Sequence, residues 1–109
     1  MIVKVRRHVD VEKDIIDIAA WIARTSRDAA YRFLENVEDS ILGLRFLPGK
    51  GSPKHLRGAG LAGVRSWAVR GFPNHLILYD MRPDGVYVLA VVRGSRKYTE
   101  ILRGRLPRP

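Results

Sequence analysis

Seven consecutive apolar residues, Val86-Tyr87-Val88-Leu89-Ala90-Val91-Val92, constrain this chain more than any other feature it has. A strand that is apolar at every position has no face to give to water, so the run predicts an interior strand covered on both sides. Pro83-Asp84-Gly85 just before it is a hairpin signal and pairs it with a strand over His75–Met81. A further strand over Val64–Arg70 joins that one through the turn Gly71-Phe72-Pro73-Asn74. Such a meander fills one side of the apolar strand. The other side falls to the N-terminal segment Ile2–Val9, where Val3, Val5 and Val9 alternate with Lys4 and Arg6.

The segment between these strands reads as two helices. Asp10 is placed to cap the first, with Glu12 and Asp14 in its first turn, and Val11, Ile15, Ile18 and Ile22 form one helical stripe ending near Arg24. Ser26 can cap the second, in which Ala30, Phe33, Val37, Ile41 and Leu44 recur on one face until Pro48 stops it. So short a joint makes an antiparallel hairpin. Gly49–Gly63 holds five glycines and a proline and reads as a long loop, of the kind that is usually functional or mobile. Residues 97–109 form a short basic tail or a single helical turn. The predicted fold is α+β with the order β-α-α-β-β-β, a helical hairpin packed on a small, mainly antiparallel four-stranded sheet, in one domain over 1–109. In the core, Leu89 and Val91 are expected on one face of the central strand, with Ile18, Val37 and Ile41 facing it.

Charge is distributed unevenly. Up to Gly49 eight basic side chains meet eight acidic ones, whereas from Lys50 onward twelve basic residues face only Asp80, Asp84 and Glu100. The whole net charge of +9 therefore lies in the second half. That asymmetry points to an acidic partner, either nucleic acid or an acidic protein. No cysteine is present, which removes disulfides, thiolate metal sites and thiol nucleophiles. His8, His55 and His75 share no metal-ligand spacing. Gly58, Gly60 and Gly63 precede a strand, so no helix N-terminus follows them to hold a phosphate. These features predict neither metal nor cofactor. With no apolar leader and no stretch near the ~18 residues of a membrane span, the expected setting is the cytoplasm.

One block is distinctive. Leu44-Arg45-Phe46-Leu47-Pro48 closes the hairpin, Gly51, Leu56 and Gly58 follow, and then comes Val64-Arg65-Ser66-Trp67-Ala68-Val69-Arg70-Gly71-Phe72-Pro73-Asn74-His75-Leu76-Ile77-Leu78-Tyr79. The chain closes with Val91-Val92-Arg93-Gly94-Ser95-Arg96. Over roughly residues 2–98 this resembles the RelE/ParE toxin superfamily, most closely its ParE branch. Arg93 stands where that family often has His, and Lys97 where it often has Asp, so this end is more basic than the usual pattern.

The resemblance implies the toxin of a type II toxin–antitoxin system, a plasmid-stabilisation type of protein. Its expected partner is a cognate antitoxin, acidic and partly disordered, in a toxin–antitoxin hetero-oligomer without membrane contact. ParE-like members act on DNA gyrase, whereas RelE-like members cut messenger RNA on the ribosome. RNA cleavage would need proton donors and acceptors and cations near the phosphate. Candidates for that chemistry are Lys54, Arg57, Arg65, Arg96 and Tyr98, with His55 or Glu100 as bases. Candidates for target or antitoxin contact are Arg65, Arg70, Arg93, Arg96, Lys97, Arg103 and Trp21, the last lying off the apolar stripe of its helix. The ParE-like block favours gyrase inhibition without enzymatic activity; metal-independent ribonuclease action is the alternative.

Overall fold

The computed structural model describes residues 2–58, 60–94 and 97–106. In chain order its elements are β1 (Lys4–Arg7), α1 (Val11–Ala23), α2 (Arg27–Gly43), β2 (Ser52–Pro53), β3 (Val64–Val69), β4 (Phe72–Arg82), β5 (Gly85–Arg93) and α3 (Tyr98–Arg103). The sheet runs β1-β5-β4-β3-β2, with β1 parallel to β5 and every other pair antiparallel. The apolar strand thus lies inside the sheet as its composition requires, and the fold is the expected α+β hairpin-on-sheet.

The strand count differs from four. The extra strand, β2, is two residues long and pairs with Ser66 and Arg65. It forms because the loop before it is tied to β3 by side chains, which brings the backbone of Ser52–Pro53 into ladder distance. The turn after β3 differs as well. β4 already begins at Phe72, which pairs with Val69, and the register then jumps to Ala68↔Leu76. Pro73 falls in the bulged stretch, where its missing N–H costs no ladder bond.

Periodicity placed most of the hairpin core. Ala30, Phe33, Val37, Ile41 and Leu44 are all buried, and Ser26 accepts the backbone N–H of Ala29 at 3.1 Å as the cap of α2. α1 departs slightly: its buried stripe is Val11, Ile15, Ala19 and Ile22, and Ile18 is only half-buried at its margin. Asp10 makes no side-chain cap; its own N–H donates to His8 Nδ1 at 3.0 Å. α2 ends at Gly43, well before Pro48, through 3₁₀-type turns in which Leu44 and Arg45 donate to Ile41 and Leu42 carbonyls. Val3 and Val5 pack on the core, but Val9 is 84% exposed, because the ladder closes at His8, whose N–H reaches the Val88 carbonyl at 2.8 Å.

Two apolar clusters lie on opposite faces of the sheet. The helical hairpin covers the first, which takes Val86, Val88 and Val91 from β5. The second takes Leu89, Ala90 and Val92, together with Val64, Leu78, Leu61 and Leu102. Leu89 and Val91 therefore do not share a face. The pairing of Tyr79 with Val88 and of Leu78 with Ala90 leaves Leu89 as an extra residue, and this bulge turns two successive side chains to the same side. α3 covers that side with Leu102, fully buried, so the basic C-terminal segment is a helical turn with a packing role. Gly85 comes so close to the Lys4 carbonyl that a Cβ would overlap it, which is why the hairpin ends in glycine beside β1.

Candidate partner-binding site

The side chains singled out in the sequence fall into three places. The first is the loop before β2. Arg65, on β3, donates from Nη1 to the Gly51 carbonyl at 2.8 Å and to the Gly49 carbonyl at 3.3 Å. From the paired position on β4, the Tyr79 hydroxyl donates to the Pro48 carbonyl at 2.7 Å and accepts the Gly51 N–H at 2.8 Å. Burial holds the Tyr79 proton on, raising its pKa above the ordinary 10.0. A Cβ on Gly51 would meet that hydroxyl at 2.5 Å, so the spacing of Gly51, Arg65 and Tyr79 is one packing unit. Lys50 lies over the Trp67 ring at 4.5 Å. Much of the distinctive block thus fixes the loop. Arg70 is also engaged, through Asp39 at 3.2 Å and Asn36 at 3.4 Å, tying β3 to α2.

The second place is the start of α3. Lys54 Nζ stands 5.0 Å from the centre of the Tyr98 ring, and the Tyr98 hydroxyl donates to the Gly94 carbonyl at 2.5 Å. The ring packs against the second cluster. His55, Arg57 and Glu100 are exposed, His55 with a positive φ of 53°. Arg96 lies outside the described residues. Among the described residues no group of three or more His, Asp or Glu side chains gathers as a metal site would require.

The third place is a cleft of about 320 Å³ bounded by α1, β5 and α3, at the small end of ligand-binding pockets. Trp21 and Arg93 meet here, the guanidinium 4.4 Å from the ring centre. Trp21 is 48% exposed, as its position off the stripe suggested. Ile18 and Ile101 supply apolar walls. Lys97 and Arg103 are exposed on the chain segment that forms the α3 side. Of the contact residues read from sequence, Trp21 and Arg93 line this cleft, whereas Arg65 and Arg70 are bonded elsewhere.

Two lining residues carried no functional signal in the sequence. Asp14 looked like a first-turn carboxylate, and Arg105 like part of a basic tail. In the structure Arg105 makes a bidentate pair with Asp14, and its Nη1 also reaches the Leu89 carbonyl at 3.2 Å. Asp14 in turn accepts the Val91 N–H at 3.0 Å. The hydrogen bonds to Asp14 raise the Arg105 pKa further above its ordinary value, so the guanidinium keeps its charge. Its position follows from the sheet. β1 leaves β5 at Val88, and the two side chains satisfy backbone groups of β5 just beyond that point. Only a partner 91 residues away in sequence could show this.

Buried His75 has no hydrogen-bond partner for either ring nitrogen among the described residues. The ring instead stands edge-on to Phe33 and Phe72 at 5.4 and 6.2 Å, and desolvation, with Arg93 adding to it, lowers its pKa below 6.5.

Comparison with known proteins agrees with the arrangement. The family model described as "ParE toxin of type II toxin-antitoxin system, parDE" matches residues 5–98. Among solved structures, the "Chromosomal ParDE TA system from P. aeruginosa" is similar in fold at a TM-score of 0.66 and 11% identity, covering 84% of this chain and 96% of its own. No curated protein matches the sequence. The match over most of its length places this chain in the ParE toxin family of type II toxin–antitoxin systems.

Proposed function

We propose that this chain is a toxin neutralised by a cognate antitoxin and that, when released, it inhibits DNA gyrase in the cytoplasm without itself being an enzyme. Family membership supports the toxin and its antitoxin partner. The observation that favours gyrase over RNA cleavage is the engagement of two of the groups a ribonuclease would need. The Tyr98 hydroxyl already donates to Gly94, and the Arg65 guanidinium is bonded to loop carbonyls. A general acid must be free to give its proton to the leaving oxygen, and a stabilising cation must be free to face the phosphate. The second reading, ribosome-dependent cleavage of messenger RNA, draws on the nearness of Lys54 to Tyr98.

Purified protein should inhibit gyrase supercoiling or trap the cleaved-DNA complex in an assay free of ribosomes. Tyr98→Phe keeps the ring and should leave toxicity nearly unchanged. If Tyr98 were a general acid, the same change would lower the cleavage rate roughly 10²–10⁴-fold. Messages cut on ribosomes, with cutting lost in Tyr98→Phe, would replace the gyrase reading with the enzymatic one.

A further inference from the structure

We propose that the α1–β5–α3 cleft receives an antitoxin segment in which a carboxylate stands beside a large apolar side chain. The carboxylate engages Arg93, and the apolar group packs against Trp21, Ile18 and Ile101. The proposal rests on the toxin–antitoxin reading above and adds where the antitoxin docks and by what chemistry.

Charge selects the occupant. Two carboxylates line the cleft, but both are already matched: Asp14 by Arg105 and Asp17 by Lys13, at 2.6 Å. Arg93 has no carboxylate within ion-pair distance among the described residues, and its guanidinium lies over the Trp21 ring. A cation fixed over an aromatic ring at the mouth of an apolar cleft suits an anionic group next to an apolar one. Lys97 and Arg103, both exposed, add positive charge along the α3 side. The backbone also limits the mode. The Leu89 carbonyl and the Val91 N–H are taken by Arg105 and Asp14, so the occupant binds through side chains and does not add a strand across these two groups.

A competing apolar groove runs along the outer face of the hairpin, lined by Ile16, Tyr31 and Leu34 with one cation, Arg27. The two helices carry seven acidic residues against three basic ones, Lys13, Arg27 and Arg32. The groove thus offers an acidic segment one cation on helices of net negative charge, whereas the cleft offers Arg93 with exposed Lys97 and Arg103 beside it, so the cleft is favoured.

The probe is the protein encoded by the neighbouring gene, expected to be small and acidic, titrated into the full chain by calorimetry. Trp21→Ala should weaken binding about 30-fold or more, as loss of a buried aromatic anchor does. Arg93→Glu should weaken it about tenfold or more and flatten the salt dependence of the association rate. Tyr31→Ala should change affinity by less than about twofold. A photo-crosslinking residue at position 21 should capture the antitoxin, and one at position 31 should not. Arg93 is exposed, so its reversal leaves the fold intact and decides the matter even if Trp21→Ala is unstable. A complex that ignores changes at 21 and 93 but weakens or crosslinks at 31 overturns this inference alone. Failure of the neighbouring protein to bind or to relieve toxicity overturns the toxin–antitoxin reading, and this inference with it.

Discussion

On one face of the sheet, helices of 13 and 17 residues deliver a continuous stripe of buried side chains, from Val11 to Leu44, onto Val86, Val88 and Val91. On the other face, a six-residue helix and a glycine-rich loop deliver Leu102 and Leu61 onto Leu89, Ala90 and Val92. The first arrangement spreads its stabilisation over many contacts between long elements. The second concentrates it in a few side chains and the Asp14–Arg105 pair. Stability is seldom uniform across a structure, and elements with few buried contacts open first. The cleft lies along the boundary between the two regions, built from α1 on one side and α3 on the other.

The largest effect should come from removing a ring in the first region. Phe33 is fully buried between α1, α2 and the sheet, and Phe33→Ala should cost about 3–5 kcal/mol, enough to unfold much of a small domain. Leu89→Ala, in the second cluster, should cost about 2–4 kcal/mol by denaturant titration. Equal loss of cooperativity in both variants would dissolve the contrast between the faces. An unchanged melting temperature for Leu89→Ala would show that the bulge does not bury it.

Arg105→Ala sharpens the contrast, because it cuts the tie between α3 and α1 while leaving both clusters intact. It strands Asp14 in a largely enclosed position, and the cost should be about 1–3 kcal/mol, below that of a fully buried pair. Hydrogen exchange should accelerate in α3 and at the Val91 amide, with α2 protected as before. Equal acceleration in α2 would mean that the two regions unfold as one.

The smallest effect is a pH dependence belonging to the first region. Burial lowers the folded-state pKa of His75, with Arg93 contributing, so the unfolded chain takes up this proton more readily. The contribution of neutral His75 is complete above about pH 6.5 and declines as pH falls from there towards the depressed folded value. Denaturation midpoints measured from pH 7.5 down to 5 should fall in the parent. The part of that fall due to this ring should vanish in His75→Phe. An identical slope in the variant would assign the pH dependence to other groups.

The hairpin and the interior strand were legible in the sequence because their signals are local. A 3.6-residue period, a serine before a helix and an unbroken apolar run each act through neighbours in the chain. The residues of the cleft were legible only in part. Trp21 stood out because it broke its stripe, and Arg93 because it was basic at the end of a strand, but their meeting at 4.4 Å depended on how α1 crosses β5. Arg65 and Tyr79 were visible as a motif, yet their bonds to Pro48, Gly49 and Gly51 belong to the packed loop.

What the sequence determined by itself was the order of the main elements, the hairpin stripe, the interior place of β5 and the family. Tertiary structure alone decided the rest. Alternation cannot reveal where one extra residue enters a ladder, so the bulge at Leu89 set which side chains share a face. Pairing between residues far apart in sequence leaves no periodic trace, so Asp14 and Arg105 became one unit only when β1 stopped short of Leu89 and left backbone groups to be satisfied.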